Sequence, residues 1–247
     1  MTKKFQISGL CLATAMALVS TNASAVSVGL TPLSGVLGTP TPGTVVYRGD
    51  LGAAAGSAII NAISVADDSG GSGGSLGQFS GFDLDAIIIS SKFCTTTACL
   101  VGAPTLNVFN YGGGSVFSKG YTLSPANAKL FGTDATGNAV DNAVATLGSF
   151  DANSDTAAPA RFLSLGYAGP GTPGSILFNF ISPTALTGYY VYLGEVGGNG
   201  ENPAANVNLF GSGMGVPEPS IWAMMIAGIG FAGAAMRRRQ RISLKYA

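Results

Sequence analysis

Phe82-Asp83-Leu84-Asp85-Ala86-Ile87-Ile88-Ile89-Ser90 is the clearest strand in the 247-residue chain, and its reading decides the fold class. The three consecutive isoleucines are β-branched and suit a pleated surface. Because Ile87 to Ile89 run continuously instead of alternating with polar residues, burial on both faces is expected. Outward from this run, similar segments recur. Val45-Val46-Tyr47 reads as an earlier strand, after an extended leading segment from Val26 to Gly43 rich in Gly, Pro and Thr. Ala53 to Val65 is Ala-rich like a helix, but the alternation of Ile63 and Val65 at its end leans toward a strand. Asp67 to Gly77 is a flexible loop by composition. Further strands are expected at Leu106 to Tyr111, Val116-Phe117, Asn142 to Phe150, Phe162 to Leu165, Ser175 to Ile181, Gly188 to Val196 and Asn206 to Phe210. Turns such as Gly112-Gly113-Gly114 and Gly169-Pro170-Gly171-Thr172-Pro173-Gly174 separate them, and no long amphipathic helix intervenes. The pattern predicts an all-β sandwich over residues 26–215.

The two ends are of different character. Met1-Thr2-Lys3-Lys4 is basic, Phe5 to about Val19 is mostly apolar, and Ala23-Ser24-Ala25 is an A-x-A exit. That order predicts a signal peptide helix over residues 1–25, read by the Sec machinery, with Ala23 and Ala25 at the signal peptidase site. At the other end, Val216-Pro217-Glu218-Pro219-Ser220 precedes an uncharged run from Ile221 to Met236. Arg237-Arg238-Arg239-Gln240-Arg241 follows as a basic stop. The 16 apolar residues, rising about 1.5 Å each, make about 24 Å of helix, short of a hydrocarbon core of about 30 Å. Arginines stay cytoplasmic by the positive-inside rule, so everything before Pro217 is expected on the opposite face of the membrane.

Pro-Glu-Pro, a short apolar helix and a terminal basic cluster together resemble the PEP-CTERM sorting domain, here over residues 216–247. The resemblance implies recognition and cleavage of the tail by an exosortase in the inner membrane of a Gram-negative bacterium that makes extracellular polysaccharide. A second resemblance covers Phe162 to Phe210: Ser-Leu-Gly, a Gly-flanked apolar strand, a strand ending in Glu-Val, then Asn-Val-Asn-Leu. This order is similar to the β-sandwich bodies of PEP-CTERM surface proteins, which resemble jelly-roll carbohydrate-binding modules. Fold likeness alone assigns no binding residue.

Removing the ends changes the charge. The whole chain is neutral, but from Val26 to Pro219 five basic residues face twelve acidic ones, a net charge of −7. Such a body repels nucleic acid, because it has no basic surface from which counterions could be released. Cys94 and Cys99 remain in it, and an oxidising compartment makes their disulfide the default, closing one short turn.

Chemistry is sparse. The chain has no histidine, which removes Ser-His-Asp and Cys-His schemes and the commonest transition-metal ligand. Asp83 with Asp85, and Glu195 with Glu201, are the carboxylate pairs a glycoside hydrolase would need. Asp83 and Asp85 are two apart and share one strand face, read as a solvent or calcium-binding face. Asp151-Ala152-Asn153-Ser154-Asp155 offers oxygens at positions 1, 3 and 5 of a loop, the opening of a calcium pattern. Thr156 and Phe162 stand where an EF-hand has Gly and Glu, which excludes that motif. Tyr189, Tyr190 and Tyr192 offer a sugar-stacking platform, but packing in the core and at its edge is the better expectation.

The sequence is therefore expected to encode a non-catalytic, exosortase-sorted protein, passing through an inner-membrane intermediate to the outer surface or extracellular matrix. A structural or adhesive role with exopolysaccharide or biofilm leads. A carbohydrate-binding module is the alternative, and a carboxylate-pair hydrolase the third reading.

Overall fold

The strand-forming runs assemble into two five-stranded antiparallel sheets. This is seen in the computed structural model, which describes residues 25–38, 43–68, 75–126, 128–152, 160–168, 172–197 and 205–212. The strands are β1 (Ala25–Val28), β2 (Leu30–Pro32), β3 (Thr44–Asp50), β4 (Ile59–Asp67) and β5 (Asp83–Ser90). They continue as β6 (Ser115–Ser118), β7 (Leu163–Ser164), β8 (Ser175–Ala185), β9 (Tyr190–Val196) and β10 (Ala205–Ser212). One sheet has the order β1-β10-β4-β8-β6 and the other β2-β3-β9-β5-β7.

The pairings are nested. β1 pairs with β10, β3 with β9, β4 with β8 and β5 with β7, all antiparallel. This is the connectivity of a long hairpin rolled into two facing sheets, a jelly roll. β2 and β6 extend the two sheets by one edge strand each. β1 and β2 lie one residue apart on opposite sheets, with Gly29 between them. That glycine marks a corner where one strand changes sheets.

Alternation places the core. Ile63 and Val65 of β4, Ile176 and Phe178 of β8, and Val207 and Leu209 of β10 are buried against Tyr47, Leu84, Ile87, Ile89, Val191 and Leu193 of the other sheet. The residues between them face outward in rows set by the register. Ser27 lies beside Asn208, Asn208 beside Ser64, Ser64 beside Leu177, and Leu177 beside Val116. On the second sheet the outward-facing Val46, Ile88 and Tyr192 are instead buried under Leu33, Cys94 and Leu100. That cover is why all eight residues of β5 are buried, as its unbroken apolar run leads one to expect.

Three segments differ from their sequence reading or resolve it. The Ala-rich stretch divides: Leu51–Ala55 is a helix, α1, whose N-cap Asp50 accepts the Ala53 N–H, and the isoleucine half is β4. A capping aspartate and alanines favour one helical turn, whereas β-branched residues favour the strand. Leu106 to Tyr111 is not a strand; it makes one isolated bridge, Phe109 to Phe180. Val108 and Phe109 are both buried, and the Phe109 ring packs on Tyr111, Phe178 and Phe180, closing an end of the core instead of extending a ladder. Asn142 to Phe150 is a series of turns, started where the Asp141 carboxylate accepts the Ala143 N–H and its carbonyl accepts those of Val144 and Ala145. An Asp-Asn start favours such turns, and Ala145 and Leu147 plug the core from the loop.

The register yields a sharp contrast between neighbours. Phe178→Ala should destabilise the fold by about 3–5 kcal/mol, and Leu177→Ala, on the outer face, by under about 1 kcal/mol. Urea titrations of both variants check this, and equal losses would mean that the strand is out of register.

Candidate functional site

The body begins and ends on one pair of strands. Ala25, the last residue of the expected signal peptide, heads β1 opposite Phe210 of β10. Cleavage after Ala25 leaves Val26, Ser27 and Val28 paired with Leu209, Asn208 and Val207. β10 closes at Ser212, beside Ile59. The two attachment points of the targeting ends therefore lie at the same end of the β1–β10 ladder. Ala23, the motif Val216 to Ser220, the apolar run 221–236 and the arginines Arg237, Arg238, Arg239 and Arg241 lie outside the described residues. Among the described residues no helix is long and apolar enough to cross a membrane.

The acids read as surface candidates are internal. Asp83 and Asp85 are both buried, which corrects the expectation of a solvent face. Asp85 Oδ2 accepts the Thr44 hydroxyl at 2.7 Å, and Oδ1 accepts the backbone N–H groups of Asp151 and Ala152 at 3.2 and 3.0 Å. Thr44 lies on β3, and β9 runs between β3 and β5. The carboxylate therefore spans two strand spacings, about 9.6 Å. It does so over Gly194, where a Cβ would meet Thr44 Cγ2 at 2.8 Å, Phe150 Cδ1 at 2.9 Å and Asp85 Cβ at 3.0 Å. A register shift between Leu84 and Ile87 puts an extra residue into β5 at this point. Such a bulge re-aims the side chain beside it. Burial pushes the Asp85 carboxyl up to about 6, against the pull of its hydrogen bonds.

The neighbouring acids fasten loops in the same manner. Asp83 accepts the Ser164 hydroxyl of β7. Asp67 accepts the N–H groups of Phe82 at 3.0 Å and Ala168 at 3.2 Å. Glu195 is buried, and Glu201 lies outside the described residues. Of the candidate calcium ligands, Asp151 is half-buried; it accepts the Thr146 hydroxyl at 2.7 Å and forms an ion pair with Arg161 at 2.7 Å. Asn153 and Asp155 lie outside the described residues, and among those described no group of three or more His, Cys, Asp or Glu is placed to hold a metal. Sequence reasoning missed Thr44 and Gly194; the available signal was a lone glycine inside a Tyr/Val/Leu strand, which often marks a close approach.

The expected disulfide is present, with Cys94 and Cys99 bonded and their Cα atoms 5.5 Å apart. The turn it closes is pinned to the sheet. Tyr192 Oη accepts the Cys94 N–H at 2.9 Å and donates to the Lys92 carbonyl at 2.6 Å. Arg48 donates to the Cys94 carbonyl at 2.6 Å, and its guanidinium lies 4.0 Å from the centre of the Phe93 ring. Tyr190 packs edge-on against Phe93, and Tyr189 packs against the main core. The three tyrosines are thus packing residues, with Tyr192 fully buried.

A pH dependence follows from Asp85. Its folded value of about 6 lies above the ordinary 3.8, so between the two the folded state holds a proton that the unfolded chain releases. Stability from this group is full below the unfolded value and is lost as pH rises through about 6, a change of at most about 3 kcal/mol. Urea midpoints measured from pH 4 to 7 should fall with pH, and Asp85→Asn should flatten that component. In a separate test, Gly194→Val should lower stability by about 1–3 kcal/mol by crowding the bridge; an unchanged midpoint would contradict the packing.

Comparison of the chain with curated proteins and with solved structures gives no match. One family model does match, the PEP-CTERM protein-sorting motif, at residues 215–239. That motif marks a chain for exosortase processing and for secretion toward the cell surface. The 247-residue chain thus carries, in its C-terminal region, a PEP-CTERM protein-sorting motif.

Proposed function

We propose that this protein is a non-catalytic structural or adhesive component of the cell surface or extracellular matrix, exported through the Sec machinery and held briefly in the inner membrane by its C-terminal run. The single observation that carries the reading is the sorting motif at residues 215–239. Three features of the body support it. The body is acidic, which favours solubility outside the cell and disfavours nucleic acid. A disulfide secures its surface loop, as suits an oxidising compartment. Asp67, Asp83 and Asp85 are committed to internal hydrogen bonds, which leaves them fastening loops instead of facing a substrate. In this reading the matrix is the exopolysaccharide of a biofilm, no resident cofactor is needed, and Asp151 serves the ion pair with Arg161.

The placement of β1 and β10 is compatible with this route. With both ends of the body on one strand pair, the sandwich can fold while the N-terminal signal and the C-terminal run are still attached to the same membrane.

Deleting residues 216–247 tests the reading. Fractionation of the host, read by immunoblot, should show the truncated protein lost from the membrane intermediate and from its final surface location. A truncated protein distributed as the wild type is would overturn it.

A further inference from the structure

The two outer faces of the sandwich are treated differently by their own chain. The outward residues of the β2-β3-β9-β5-β7 sheet are roofed by the disulfide turn and by the segment around Phe150, so Val46, Ile88 and Tyr192 are buried. The central outward row of the β1-β10-β4-β8-β6 sheet remains at least partly open. It consists of Ser27, Asn208, Ser64, Leu177 and Val116, each half-buried or exposed. Phe210 stands half-buried in the next row, opposite Ala25 and Ala62.

This sheet is also free of exposed charge. The five strands contain one ionisable acid, Asp67, which is 1 % exposed, and no basic residue. Lys119 and Asp68 lie just beyond strand ends. The body carries −7 between Val26 and Pro219. Two such bodies repel wherever their acids face each other, and a charge-free face is where that repulsion is weakest. Edge strands usually carry Lys or Pro as a guard against pairing, and β1 and β6 carry neither.

We propose that this outer face is the surface through which a second copy of the chain associates, sheet against sheet. The row holds no charged or aromatic side chain, so a partner sheet can approach to the usual spacing of about 10 Å. A two-fold axis would set the Ser, Asn, Leu and Val row against itself, which is the self-complementarity an isologous contact requires. The three central strands have 8, 9 and 11 residues and the edge strands four each; at about 3.3 Å per residue and about 4.8 Å between strands the face is about 570 Å² per copy. That is somewhat below the about 800 Å² per partner of a standard interface, so the dimer is reversible and not obligate. A sugar polymer fits less well, because Phe210 is the only aromatic in these two rows and stacking platforms use several.

The test uses protein made from the 247-residue sequence and recovered after export. Sedimentation velocity over a hundredfold concentration range should show a monomer–dimer equilibrium. Ser64→Lys with Asn208→Lys places charge at the centre of the face and should weaken dimerisation at least about tenfold. Ala135→Lys, on an exposed turn elsewhere, should leave it unchanged, and circular dichroism confirms that each variant is folded. If the double variant does not fold, Val116→Lys on the edge strand β6 replaces it. A monomer at every concentration, or a dimer indifferent to the lysines, would overturn the proposal. A monomer retarded by neutral polysaccharide, and released by the same lysines, would overturn it in favour of a glycan face. Each result is independent of the sorting assay, so a failed dimer and a failed sorting motif are told apart.

Discussion

β1 and β10 pair over four residues, Ala25 to Val28 against Phe210 to Val207. Most of the architecture can be traced inward from that short ladder. Inside it come β3 with β9, β4 with β8, and β5 with β7, so successive pairs draw together chain segments that are progressively nearer in sequence. The arrangement depends on contacts distant in sequence, whose loop-closure entropy must be met before the core rewards them. It also brings the beginning and end of the body side by side, next to the two stretches with targeting character. A sandwich with its ends at opposite poles would hold only one of those stretches near a given membrane surface.

The two sheets solve the burial problem unequally. On one, a glycine in β9 lets Asp85 reach across to Thr44, and the same carboxylate holds the backbone at Asp151 and Ala152. Tyr192 and Arg48 hold the disulfide turn on the same face. Buried acids are tolerated there because most of their oxygens meet donors. On the other sheet the outer rows are uncharged, and the residues of the Ser27–Val116 row are half-buried or exposed. One face is thus completed within the chain, and the other is left for contact with something else.

Much of the strand pattern was legible in the sequence, because burial imposes alternation or unbroken apolar runs. Val45 to Tyr47, Ile87 to Ile89 and Ser175 to Ile181 fall in strands of the fold, and of the Gly188 to Val196 run the part from Tyr190 onward does. The misses share a cause. Leu106 to Tyr111 and Asn142 to Phe150 contain apolar residues that enter the core from loops, and local pattern does not distinguish a plug from a strand. The bridge from Asp85 to Thr44 was illegible for another reason. It joins residues 41 apart in sequence across a third strand, and nothing local marks the pair. The short disulfide was legible, since two cysteines five apart in an exported body leave few alternatives. The sorting motif was legible outright, being a local pattern.

The central claim is that the first and last strands of the body lie side by side in the stated register. Ser27 and Asn208 are direct partners, and the serine hydroxyl donates to the asparagine side-chain oxygen at 2.8 Å. The direct measurement is a pair of cysteines, Ser27→Cys with Asn208→Cys, treated with mild oxidant or a short bis-thiol reagent and read by mass spectrometry after proteolysis. The account predicts one intramolecular bridge joining the peptides that contain residues 27 and 208. Two free thiols under those conditions, in a protein that is otherwise folded, would contradict it.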